Sequence, residues 1–177
     1  MYRKFFIPLY LLFAKNLTAI ELEEEPKEII LSGETGGKTN KESWNSNTLL
    51  KKGEFKLVFY IDPDEKDKND KFIDILTYKQ TFEREDLKNY IIVNIDASWK
   101  PTYIIESCLK RKQKKFPKSI YIKDKKKVLV QKWKLKDDEA VVLLFGKEGK
   151  LKYKNHGVMS DTDIEEFYNI LDIETKK

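Results

Sequence analysis

The stretch Phe59-Tyr60-Ile61-Asp62-Pro63-Asp64-Glu65-Lys66-Asp67-Lys68 decides how this chain is read. Its first three residues close Lys56 to Ile61 (KLVFYI), a near-continuous apolar run of the kind that forms a strand covered on both faces. After Pro63 the pattern changes. Phe72, Ile75, Leu76, Lys79 and Phe82 recur at helical spacing, so a helix is expected over 64–85. Acids crowd its start, where the helix dipole favours negative charge. An apolar strand thus opens directly into a polar helix.

Outward from this junction the chain alternates. Lys27 to Leu31 reads as a short strand, Gly33 to Gly37 as a turn, and Trp44 to Gly53 (WNSNTLLKKG) as a short helix or loop that Gly53 ends. Tyr90 to Ile95 (YIIVNI) is a second buried strand. Pro101 falls in the first turn of another helix, with Ser98 as its expected cap. Ile104, Ile105, Cys108, Leu109 and Lys112 give that helix one apolar stripe against a very basic face. Ser119 to Ile122 is a third strand, and Val128 to Trp133 suits either a strand or a short helix. Ala140 to Phe145 and Leu151 to Tyr153 form a hairpin around a glycine turn. Ser160 caps a last helix, with Asp163 at the capping-box position and Ile164, Phe167, Tyr168 and Leu171 inward. This order implies a mixed α/β sheet with helices on both faces.

Length and composition agree with one domain. The 177 residues are 40% hydrophobic and 12% aromatic, enough for a real core. The charged fraction of 37% reads as a solvated shell, because periodic apolar segments run through it. Residues 1–19 have the layout of a secretory signal peptide. Tyr2-Arg3-Lys4 is a basic start, Phe5 to Ala14 (FFIPLYLLFA) is an apolar run too short to span a bilayer, and Leu17-Thr18-Ala19 offers a small residue at the cut. An uncleaved anchor or a buried N-terminal strand is the alternative. The expected organisation is a signal at 1–19, a single domain at 20–177, and no transmembrane segment after signal removal.

Charge is unevenly spread. Loss of Arg3, Lys4 and Lys15 with the signal reduces the formal charge from +5 to +2. Between Lys110 and Lys136 stand thirteen Lys or Arg against one acid, Asp124, a local charge of +12. The acids concentrate at Glu21 to Glu28, Asp62 to Asp70 and Asp161 to Glu174.

The element order resembles the thioredoxin-like plan of exported TlpA-type and peroxiredoxin-type domains. Within that plan the chain resembles the YtfJ family of bacterial periplasmic proteins. The matching pieces are Trp44-Asn45-Ser46 with Gly53, Lys68-Asn69, Ile92-Val93-Asn94-Ile95-Asp96, Phe116-Pro117, Lys132-Trp133, Ala140-Val141-Val142-Leu143 and Gly149-Lys150-Leu151, in that order. The chain departs from the pattern at Lys147-Glu148-Gly149, where such hairpins read D-x-D-G, and in its basic 110–136 stretch. The resemblance implies a periplasmic location and a thioredoxin-like fold. It implies little about function. In thioredoxin-type domains the strand-to-helix junction carries a C-x-x-C pair, and by the resemblance those positions fall on Asp64 and Asp67. With Cys108 as the only cysteine, neither dithiol chemistry nor a disulfide within the chain is possible. Such sites also place a proline before the strand that starts the final hairpin. Here that position falls near Asp138-Glu139, with Pro117 as the alternative register.

Other candidates follow from chemistry. Cys108, on the apolar stripe, is expected as a small buried side chain. The competing reading is a peroxidatic thiol, kept open by Lys110 and Arg111 beside it. His156, the one histidine, has no partner for a metal site and is expected as a polar surface residue. Asp62, Asp64, Asp67 and Asp70 miss the spacing of a calcium loop, and a helix start explains them, so no metal or cofactor is expected. The basic stretch is either a solvated face or an anion site built from Lys110, Arg111, Lys114, Lys115, Lys125, Lys126 and Lys127. The expected function is a periplasmic binding or envelope-maintenance module that is not a thiol oxidoreductase. Its partner would be a periplasmic protein or an anionic envelope component; nucleic acid is disfavoured because no DNA-binding helix pair is recognisable. The alternative is an enzyme: a one-cysteine peroxidase using Cys108, or a site not identifiable from the sequence.

Overall fold

The computed structural model describes residues 19–176, so the expected signal segment lies outside them except for Ala19. The buried apolar runs form the centre of the sheet. Strands β1 (Ile30–Leu31), β2 (Gly36–Lys38), β3 (Trp44–Asn45), β4 (Phe55–Ile61), β5 (Leu87–Asn94), β6 (Ser119–Asp124), β7 (Val141–Phe145) and β8 (Leu151–His156) alternate with helices α1 (Asp70–Tyr78), α2 (Thr102–Lys115), α3 (Val128–Trp133) and α4 (Asp161–Thr175). Six strands make one mixed sheet in the order β2-β6-β5-β4-β7-β8, and β1 and β3 pair apart from it. β5 pairs parallel with β4 and with β6, so α1 and α2 are the crossovers of two consecutive βαβ units.

The register assigns the faces. Phe59 stands opposite Ile91, and Ile91 opposite Tyr121, so these three share one face. α1, α4 and α2 cover that face through Phe72 and Leu76, through Ile164, Phe167 and Leu171, and through Ile105 and Leu109. Phe72 meets Phe167 edge-on at 5.0 Å, a geometry worth about 0.5–1.5 kcal/mol beyond its buried area. The other face carries Val58, Tyr60, Ile92 and Ile122 under α3 and the N-terminal segment, with Trp44 and Trp133 at its centre. Asp124 is fully buried there and accepts from the Tyr60 hydroxyl at 3.2 Å and from the backbone N–H groups of Val128 and Leu129, both at 2.9 Å. Burial and this carboxylate push the Tyr60 hydroxyl well above the usual tyrosine range.

Several sequence expectations are corrected. Gly36 and Gly37, read within a turn, belong to an edge strand, Gly36–Lys38, against β6. The helix expected from residue 64 begins at Asp70, because Asp62 accepts the backbone N–H of Asp64 at 2.8 Å and turns the chain first. Ser98 does not cap α2; its hydroxyl accepts from the Lys100 N–H at 3.2 Å, outside the helix. Val128 to Trp133 is a helix. The final hairpin is β7–β8, preceded by Asp138-Glu139-Ala140, whereas Pro117 precedes β6. The capping box is present as expected: the Ser160 hydroxyl accepts from the Asp163 N–H, and the Asp163 carboxylate from the Ser160 N–H at 2.7 Å.

Candidate functional site

Two places on the fold bear on function. The first is the junction after β4. Asp64 and Asp67 lie in the turns between β4 and α1, and each is engaged: Asp64 by Lys100, Asp67 by Lys66. The bond from Lys100 holds the Asp64 carboxyl below the usual range. Asp62 is buried, which raises its carboxyl; the Asp64 N–H opposes that shift, and the charges of Asp64 and Asp138 add to it. The loop before β7 thus faces the junction, and its side chains there are carboxylates. Asn94, at the end of β5, donates to Asp137 at 3.1 Å. Among the described residues, no three His, Cys, Asp or Glu side chains are grouped as a metal ion would need. Of the acids earlier explained by a helix start, Asp70 does open α1, whereas Asp62, Asp64 and Asp67 stand before that start, in turns or paired with lysines.

The second place was not visible in the sequence. α1 and α2 lie over adjacent strand pairs of one sheet face, and between them runs a groove of about 1090 Å³. Its floor is Phe59, Ile61, Ile91, Val93 and Tyr121. Ile91, at the middle of the central strand, is consequently only half-buried, whereas its neighbours Ile92 and Val93 are buried. The α2 wall is Ile104, Cys108, Arg111, Lys112 and Lys115, spaced as one helical face. That face adjoins Ile105 and Leu109, which anchor the helix to the sheet.

This arrangement sorts the basic candidates. Arg111 and Lys115 line the groove; Lys110 and Lys114 do not. Lys123 and Lys125 converge on Glu106 at 3.3 and 2.8 Å, and Lys127 pairs with Asp137 at 2.7 Å. Lys126 is exposed beside them. Lys114 and Lys115 stand at the end of α2 that leads into β6, and Lys125, Lys126 and Lys127 follow the far end of that strand. The fold therefore divides the basic stretch instead of presenting one positive face. Cys108 is also corrected: it is half-buried, at the groove wall, with the Arg111 Nη2 3.8 Å from its Sγ. A side chain flanking the anchoring stripe is sheltered on one side only.

The chain was compared with known proteins. A family model described as "Bacterial protein of unknown function (YtfJ_HI0045)" matches residues 12–174. The chain belongs to this family. The fold of this YtfJ-family chain is thioredoxin-like. A protein named as a thioredoxin from Neisseria meningitidis is 14% identical with a TM-score of 0.59, covering 86% of this chain and 90% of its own. One named as the thiol:disulfide interchange protein DsbE from Chlorobium tepidum is 11% identical with a TM-score of 0.60, covering 88% and 99%. The mitochondrial 2-cys peroxiredoxin of Plasmodium falciparum is 12% identical with a TM-score of 0.56, covering 88% and 96%. At these identities the likeness speaks for the fold alone. No curated protein matches the chain. Among the described residues, no helix is long and apolar enough to cross a membrane.

His156 in this YtfJ-family chain is not the plain surface residue expected. It is half-buried, and its Nδ1 is enclosed without a hydrogen-bond partner. Burial lowers its affinity for a proton, Lys154 and Lys136 add to this, and Glu139 opposes it. The native pKa thus lies below the unfolded value of about 6.5. The contribution to stability is intact above pH 6.5, and is lost as pH falls through that value toward the lowered native one. Melting temperature measured against pH should fall on acidification over that window, and His156→Asn should flatten this part of the profile.

Proposed function

We propose that the chain is an exported binding module without dithiol chemistry, and that its ligand site is the groove between α1 and α2. The observation that carries this reading is the half-buried Ile91 on the floor of an open apolar groove, in a domain whose junction holds Asp64 and Asp67 and whose single thiol is Cys108 on α2. Apolar side chains at the centre of a sheet are ordinarily covered, and uncovered concave apolar surface is where ligands bind. Export to the periplasm follows from the signal layout of residues 1–19. The chain recovered from the periplasm should begin near Ile20 on N-terminal sequencing; full-length chain in the cytoplasm would refute export.

The purified protein should not catalyse insulin reduction or the refolding of a reduced disulfide protein, since one thiol cannot cycle as a dithiol. It should capture a component of periplasmic extract, and Ser107→Trp, which fills the groove at an exposed lining position, should abolish that capture. Identical capture by both proteins removes the groove from the account.

A second reading is favoured by one observation, the partial exposure of Cys108 beside Arg111. A Cys108 thiolate attacking a peroxide would form a sulfenic acid and release an alcohol or water, and an external thiol would have to return it to the thiol. Peroxide turnover with added thiol that vanishes in Cys108→Ala would install this reading.

A further inference from the structure

We propose that the ligand of the α1–α2 groove is a free long-chain fatty acid, its chain along the apolar floor and its carboxylate at Arg111, Lys112 and Lys115. This rests on the groove being the binding site.

The two walls differ in charge. On the α1 side, Lys66 engages Asp67, Asp70 stands close by, and Lys100, which also lines the groove, is engaged by Asp64. At the opposite end, Lys118 is engaged by Glu83. Arg111, Lys112 and Lys115 face the groove with no carboxylate in ion-pair distance among the described residues; Arg111 reaches only the Cys108 sulfur, and Lys115 lies 5.2 Å over the Phe116 ring. The groove thus offers uncompensated positive charge on one stretch of one helix and apolar surface along its floor. That pattern complements a molecule with one anionic head and one long apolar body. An acidic peptide helix would meet Asp67 and Asp70 on the opposite wall. A polyanion would make no use of the apolar floor, where Ile91 is left part-exposed. A volume of about 1090 Å³ stands at the upper end of small-ligand clefts, which run to about 1,000 Å³, and suits an extended chain. The apolar body supplies affinity by leaving water. The guanidinium and ammonium groups fix the direction of the chain and make binding sensitive to salt.

The test is titration of the protein purified from the periplasm with palmitate below its aggregation threshold, followed by calorimetry and by maleimide modification of Cys108. One palmitate should bind per chain and slow modification of Cys108 at least tenfold. The triple reversal Arg111→Glu, Lys112→Glu, Lys115→Glu should weaken binding at least tenfold. The double reversal Lys110→Glu, Lys114→Glu, outside the groove, should leave it unchanged although it too makes the net charge strongly more negative. Hexadecanol, with the same chain and no charge, should bind at least tenfold more weakly than palmitate. Equal palmitate binding by the triple variant and the parent overturns the proposal. So does absence of palmitate binding, or binding of a monoacyl phosphate or an acidic peptide in its place. If palmitate fails while Ser107→Trp still abolishes capture from extract, the fatty acid falls and the groove stands. If both fail, so does the binding-module reading.

Discussion

Asp124→Ala is expected to lower stability by about 3 kcal/mol or more, from the cost of orphaning buried hydrogen-bond donors at about 1–3 kcal/mol each. The carboxylate is fully buried, and its two oxygens take the Tyr60 hydroxyl, the Val128 and Leu129 N–H groups at the start of α3, and the Lys126 N–H at 3.3 Å. Alanine leaves the Leu129 N–H and the Tyr60 hydroxyl without a partner where water does not reach. Asp124→Asn keeps one acceptor oxygen but turns an NH₂ toward one set of donors, so it should recover only part of the loss. Urea denaturation measures both: the midpoint should fall while the slope stays constant, because the surface exposed on unfolding is unchanged. An alanine variant within about 0.5 kcal/mol of the parent, the range of neutral surface changes, would mean that the cluster does not hold α3 to the sheet.

Trp133→Ala carries a comparable loss by a different route. The indole is 1% exposed, lies 6.4 Å from Phe145, and donates its Nε1–H to the Lys27 carbonyl at 2.9 Å. Its backbone carbonyl accepts from the Ile20 N–H at 3.0 Å. Truncation removes one of the two tryptophans from the core between α3 and the N-terminal segment, and large-to-alanine changes of this kind cost about 3–5 kcal/mol. The damage should be local in a second measurement. Amide exchange should accelerate across 20–31, which leans on the indole, before it does so in α4 on the opposite face. Uniform acceleration would show that the N-terminal segment is no separate cover for that face.

How far the sequence could be read follows from which interactions are local. β4, β5 and β7 were legible because strands covered on both faces are apolar almost without interruption. The last helix was legible because Ser160 and Asp163 encode its start within four residues of chain. β2 was not, since Gly36-Gly37 has the composition of a turn. It is a strand only because β6 lies beside it, so close that a Cβ on Gly36, at φ +133°, would stand 1.9 Å from the Lys123 carbonyl oxygen. The start of α1 was placed too early because acids suit a helix start and also suit an Asx turn, and Asp62 makes the turn. At the site, the loss of dithiol chemistry could be read from the single cysteine alone. The groove could not. The periodicity of α2 says which residues face the sheet, but nothing local says how far α2 lands from α1. Yet Ile104, Cys108, Arg111 and Lys115, each three or four residues after the last, already form one stripe beside Ile105 and Leu109, and a second stripe of that kind is a signal that a helix has two environments.

The claim that matters most is where the ligand sits. A nitrogen-15 correlation spectrum of the protein, recorded before and after addition of periplasmic extract, tests it residue by residue. The account predicts shifts at Ile73, Ile91, Cys108 and Arg111, which line the two walls and the floor of the groove, with Asp62, Asp64 and the loop at Asp137 to Glu139, which do not line it, undisturbed. Shifts confined to Asp62, Asp64 and Asp137–Glu139, with the groove amides unmoved, would contradict it and place the ligand at the junction after β4 instead.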